Sequence, residues 1–200
     1  LLDAMRPAVE HILAAQVQEA YGERGIHNPA DRFVRVPITF PPVRIALEPP
    51  PHLLVISPRT SIASLRQDLL LQHMDPGTME SIEGAVEGLD LSALVTEIGG
   101  LGATYPTIVN DDSSLRYTID TVAEEWLHQY LAFTPLGWRY VLHLLHLRED
   151  YAVAQINESL AGIVHTEIGD AVWQRYYAAR MPRGTIPPLN AEAFDYRAFM

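Results

Sequence analysis

The chain contains no cysteine among its 200 residues. That excludes disulfides, thiolate metal sites and a cysteine nucleophile, though it does not fix a compartment. No apolar run approaches the roughly 20 residues needed to span a bilayer, and no signal-peptide pattern opens the chain. Basic residues are few, 14 Lys and Arg against 25 Asp and Glu, for a formal charge of -11. Without a basic cluster to neutralise phosphates, no nucleic-acid partner is expected. The glycine stretch Gly99-Gly-Leu-Gly102 lacks both the G-x-G-x-x-G and the GKS/T spacing, which argues against a nucleotide site. Internal repeats and low-complexity segments are absent. An initiator methionine is missing as well, so the chain reads as a fragment of a longer protein.

What is present is an ordinary globular composition, 48% apolar and 20% charged, which suits one domain over residues 1–200. Residues 4–20 carry Val9, Ile12, Leu13, Val17 and Ala20 at helical spacing. The β-branched runs 33–40, 43–47 and 53–57 are punctuated by Pro37, Pro41-Pro42 and Pro49-Pro50-Pro51. Prolines so placed favour edge strands and open connections, hence a small, mostly antiparallel sheet. Residues 61–71 and 78–88 read as helices, the second with Glu80, Glu83 and Glu87 on a solvated face. Residues 91–98 are ambiguous between strand and helix, and 99–109 suggest two more strands around a glycine turn.

The expected fold is α+β, with a sheet-bearing half over 1–112, a helical half over 113–181 and an irregular tail over 182–200. Asn110 to Ser114 supply caps for a central helix that ends near Thr134-Pro-Leu-Gly137. A short helix carrying Trp138, Tyr140, Val141, Leu144 and Leu145 follows. Asp150 caps a last helix running to about Arg180.

The central helix holds the chemistry. In Thr121-Val-Ala-Glu-Glu-Trp-Leu-His-Gln-Tyr-Leu131, residues Ile119, Val122, Ala123, Trp126, Leu127, Tyr130 and Leu131 share one apolar face. Glu124 and His128 are one turn apart on another side, with Glu125 beside them. The arrangement differs by one residue from H-E-x-x-H, in which two histidines hold a zinc ion and the glutamate activates water. A third ligand is available as Glu158, in Ile156-Asn-Glu-Ser-Leu-Ala161. It falls opposite Val153, Ile156 and Leu160, and small Ala161 and Gly162 would let the two helices approach. A lone E-E-x-x-H is also what a hydrated, ion-paired helix face looks like.

A glutamate about thirty residues beyond such a helix, in an N-E-x-x-A stretch, resembles the gluzincin metallopeptidases. The chain is most similar to a group of bacterial, often membrane-anchored metallopeptidases sharing an A-H-E-W-x-H-x-Y-L helix and an N-E-T-x-A helix. Further likeness lies in Pro41-Pro-Val43, Leu54-Val-Ile-Ser-Pro-Arg59, Ile98-Gly-Gly-Leu101, Tyr105-Pro-Thr107, Pro135-Leu-Gly137 and Glu167-Ile-Gly169. The resemblance implies residue 124, His128 and Glu158 as metal ligands, Glu125 as general base, a peptide or protein substrate, and an extracytoplasmic chain anchored outside this segment. Glu124 is the departure from the pattern, since it stands where the family has histidine. A Glu/His/Glu set still takes zinc, but is relatively better suited to Mn, Fe or Ca than the usual set.

His165, two turns after Glu158, is a candidate replacement for the missing imidazole or a packed histidine. His143 and His146 are a core-edge pair or spare ligands, and Tyr130, Tyr176 and Tyr177 are packing residues or oxyanion donors. A di-iron bundle would require a second E-x-x-H, which Ala161 denies. The rival from another class is a pseudopeptidase whose cleft binds a peptide or protein without cutting it. Either way Glu125, His128 and Glu158 are expected to converge at the base of a cleft bordered by the 105–109 strand.

Overall fold

The structure is a computed structural model that describes residues 2–31, 33, 38–61, 63–145 and 147–180. The expectations for the strand over 34–37, for His146 and for the tail beyond 180 lie outside the described residues. The fold is α+β. Helix α1 spans Leu2–Glu23, followed by strands β1 (Ile45–Leu47), β2 (Leu53–Pro58) and β3 (Arg66–Leu69). Next come α2 (Pro76–Glu87), β4 (Leu91–Thr96), β5 (Gly100–Leu101) and β6 (Thr107–Val109). The helical half holds α3 (Leu115–Ala132), α4 (Pro135–Leu144) and α5 (Tyr151–Tyr176).

The strands form two sheets of three. One runs β3-β2-β4 and is wholly antiparallel, and the other runs β1-β6-β5, with β1 parallel to β6 and β5 antiparallel to it. Residues 61–71, expected as a helix, instead deliver β3, whose Leu69, Gln67 and Arg66 pair with Leu53, Val55 and Ile56. The reason is burial, because Leu65, Leu69 and Leu71 all stay exposed and give a helix no apolar face to bury. The ambiguous 91–98 stretch resolves as β4, pairing along the whole of β2.

Helix starts follow the polar residues ahead of them. Ser114, Thr134, Asp150 and Asp75 each accept a backbone N–H from the first turn of the helix that follows. Such a cap contributes about 1 kcal/mol. Glu83 of α2, expected on a solvated face, instead accepts the Val95 N–H at 2.7 Å and ties α2 to β4.

The core lies between α1, α3, α5 and the β1-β6 pair. The apolar face of α3 is buried as the periodicity demands, with Ile119, Val122, Ala123, Trp126 and Leu127 joined by Val17 and Tyr21 of α1 and by Val109. Fully burying a large apolar side chain contributes about 1.5–3 kcal/mol. Polar ends are satisfied in place: Trp126 Nε1 donates to the Pro41 carbonyl at 2.8 Å, and Tyr21 Oη donates to the Ala123 carbonyl at 2.9 Å.

On α5 the buried line is Val153, Asn157, Ala161, Ile168 and Val172, while Ile156 is exposed. Ala161 and Gly169, and not Gly162, let α5 approach α3, because a Cβ at Gly169 would collide with the Asp120 carboxylate whereas one at Gly162 meets nothing. No helix among the described residues is long and apolar enough to cross a membrane.

Candidate metal centre

Glu124 and His128 project from α3 and Glu158 from α5. One ligand atom from each can be chosen so that all lie within 4.8 Å of one another. His128 Nε2 is 3.7 Å from Glu158 Oε2. Two atoms bound to one zinc at about 2.0–2.2 Å are at most about 4.4 Å apart. The donor set therefore fits a single divalent cation with small side-chain adjustment, and its chemistry, one imidazole and two carboxylates, fits it also.

His128 and Glu158 each make a hydrogen bond outside the trio, and Glu124 has a histidine close by. His128 Nδ1 lies 2.8 Å from Asn157 Oδ1. A carbonyl oxygen only accepts, so the ring hydrogen sits on Nδ1 and the Nε2 lone pair is left toward the carboxylates. Glu158 Oε1 accepts the Tyr140 hydroxyl. Glu124 Oε2 lies 3.4 Å from His165 Nδ1, at ion-pair distance. Outer partners of this kind orient metal ligands and set their basicity.

Burial and the Glu158 contact raise the Tyr140 pKa, with Glu158 and Glu125 adding to the rise by charge. The phenol therefore stays protonated and remains a donor. Glu158 and Glu125 each accept a hydrogen bond, from Tyr140 and from the Gly102 amide, which offsets part of the repulsion among the carboxylates. At an effective dielectric near 20, two bare charges about 4 Å apart repel by roughly 4 kcal/mol.

Glu125 sits beside the cluster and lines the same cleft, of about 400 Å³, with Glu124, His128, Tyr140 and Glu158. Its Oε2 accepts the Gly102 N–H at 2.7 Å. Burial raises its pKa above the ordinary glutamate value, while His128 and the Gly102 bond pull it down and Glu124 and Glu158 push it up.

The glycine stretch, read from the sequence as a turn, is the surface on which the site helix rests. A Cβ at Gly102 would come within 2.6 Å of Glu125 Oε2, and one at Gly100 within 2.7 Å of Thr121 Cγ2. The strand along the cleft is accordingly β5, not the 105–109 strand, because β6 lies between β1 and β5 and has no free edge.

The remaining candidates fall away from the centre. His143 Nδ1 accepts the Asp150 N–H at 3.1 Å and bridges α4 to the start of α5. Tyr130 packs on Trp126, while Tyr176 and Tyr177 bond Glu19 and Gln16 of α1. The tyrosine that bonds a candidate ligand is Tyr140, which apolar periodicity assigned to a packing face. Its stacking against His128, with ring centroids 5.8 Å apart, is a contact between helices that no local pattern reveals. The pairing of Asn157 with His128 had a signal, a polar residue at a buried helical position, and so did His165, which faces Glu124 and not Glu158.

Comparison with family models, with curated proteins and with solved structures finds no match for this chain.

Proposed function

We propose that the protein is a metallopeptidase-like hydrolase that cleaves peptide bonds with the help of a divalent cation held by Glu124, His128 and Glu158. The observation that supports this most is the pair of hydrogen bonds made to two of the three groups, by Asn157 to His128 and by Tyr140 to Glu158. An ion-paired surface face has no need of a buried asparagine fixing a tautomer. When bound, zinc or a similar cation supplies Lewis acidity.

Glu125 is the general base. The Gly102 N–H holds Oε2, leaving Oε1 to take a proton and return it, and burial moves its pKa toward the range where a carboxylate does both. A peptide or protein is the substrate.

The second reading, a pseudopeptidase that binds a peptide without hydrolysis, is favoured by one observation. Glu124 adds a second carboxylate to the cluster, and a more anionic set weakens a metal's power to acidify water. Metal analysis of the purified chain before and after chelation, with peptide cleavage scored alongside, tests both. Bound metal with cleavage that Glu125→Gln abolishes supports the peptidase. An empty site despite added Zn or Mn, or unchanged cleavage in Glu125→Gln, overturns it. Glu124→His is expected to tighten zinc binding by at least about tenfold and to raise hydrolysis. Should that variant bind zinc no better and stay inert on a broad peptide set, the binding-module reading stands instead.

A further inference from the structure

Helix α3 sets one polar side chain against α5 at each turn, through Arg116, Asp120, Glu124 and His128. The two helices run in opposite directions, because Arg116 pairs with Asp170 whereas His128 meets Asn157. At one end of this polar seam Arg116 is engaged twice, with Asp120 at 2.9 Å and Asp170 at 2.8 Å. At the other, Asn157 bonds His128 and Tyr140 of α4 bonds Glu158. Between the two ends stands Glu124, and the group that α5 brings to it is His165.

The His165 ring is held there with unspent capacity. Its Nδ1 is cut off from solvent and makes no hydrogen bond, a state that burial makes unfavourable. The Oε2 atom of Glu124 lies 3.4 Å away, a few tenths of an ångström beyond an ordinary N–H···O bond. A small turn of either side chain closes that gap. A carboxylate oxygen only accepts, so the bond forms with the ring hydrogen on Nδ1.

The polarity of the neighbouring groups follows the chemistry of the candidate ligands. An imidazole that ligates through one nitrogen carries hydrogen on the other, and His128 meets an acceptor, Asn157 Oδ1. A carboxylate that ligates through one oxygen keeps the other as an acceptor, and Glu158 meets a donor, the Tyr140 hydroxyl. Glu124 is also a carboxylate, and the nitrogen beside it is one that can donate.

We propose that His165 is the positioning residue of Glu124. Its Nδ1–H holds one carboxylate oxygen and leaves the other to the cation, which makes a ligand of a long, mobile side chain. The proposal rests on the metal-binding part of the peptidase reading, and not on cleavage.

The test uses the full chain and measures affinity for zinc and for manganese by competition with chelators of graded strength. His165→Leu, which fills similar space without a donor, is expected to bind either metal about 10–100-fold more weakly. His165→Asn, whose amide sets a donor near the place of Nδ1, is expected to stay within about threefold of the unsubstituted chain. Both substitutions are also made in Glu124→Ala, which has no carboxylate left to position. There the leucine and asparagine variants are expected to bind alike, within about twofold.

A loss in His165→Leu that is as large in Glu124→Ala as in the unsubstituted background overturns the proposal, because packing or direct ligation by His165 would produce it. Equal losses in His165→Leu and His165→Asn overturn it as well. An unsubstituted chain that binds neither metal sinks the metal centre and this proposal together, whereas undiminished affinity in His165→Leu sinks the proposal alone.

Discussion

Helix α3 buries Thr118, Ile119, Thr121, Val122, Ala123, Trp126, Leu127 and Leu131, whereas α2 buries no residue at all. The same contrast separates the two sheets. Strand β6 contributes fully buried Val109 to the common core, while the β3-β2-β4 sheet buries only Leu54 and Val95 among its apolar side chains. The candidate ligands stand on the densely packed side, on two helices that share the core. A metal centre needs donors held to within fractions of an ångström, and only elements locked by packing provide that.

Three comparisons sharpen that contrast, from the largest expected effect to the smallest. Trp126→Ala removes a side chain that is 1% exposed and is expected to cost about 3–5 kcal/mol in denaturant unfolding. Leu94→Ala on β4, 57% exposed, is expected to change stability by less than about 0.5 kcal/mol. Similar losses at the two sites would show that the two halves are equally packed.

Next in size is Asn157→Ala, which leaves the His128 Nδ1 hydrogen without its acceptor. Metal affinity is expected to fall by about 10–100-fold, the range for lost outer partners. Glu83→Gln, at the α2–β4 junction, is expected to leave affinity alone. Titration of both variants with a competing chelator measures it, and an Asn157→Ala protein that binds metal as before would remove the main support for the site.

The smallest effect concerns Glu125 in the metal-free protein. Its folded pKa is raised, so the fold holds this proton more tightly than the unfolded chain does. Stability from it is fully present below the unfolded value and is lost as pH rises through the folded one. Glu125→Gln, which cannot ionise, is expected to match the unsubstituted chain in mildly acidic solution and to melt at a higher temperature near neutral pH. Melting curves of the two proteins that run parallel across that range would show that burial does not penalise this carboxylate.

Much of the helical half was legible in the residues. Its register follows from the spacing of Ile119, Val122, Ala123 and Trp126, and its borders from Ser114, Thr134 and Asp150, because periodicity and capping are local properties of the chain. The juxtaposition of Glu124 with His128 is local too, one turn of helix. Glu158 was readable as a third ligand from its N-E-x-x-A setting and from its place opposite Val153, Ile156 and Leu160.

The sheet half was less legible. Residues 66–69 have no strong strand pattern and become β3 because β2 offers them a partner. Pairing between distant segments overrides local propensity there.

By itself, then, the sequence determined which elements exist in the helical half and that three donor residues lie on two helices with a glutamate beside them. Tertiary structure alone decided what those donors face. It set Asn157 against His128, Tyr140 against Glu158, His165 against Glu124 and the Gly102 amide against Glu125. Each of these joins separate helices, or a helix to the turn after β5, and the angle and depth at which two elements pack depend on the small residues between them. Here those are Gly100, Gly102 and Gly169, whose missing side chains leave the space that the site helix occupies.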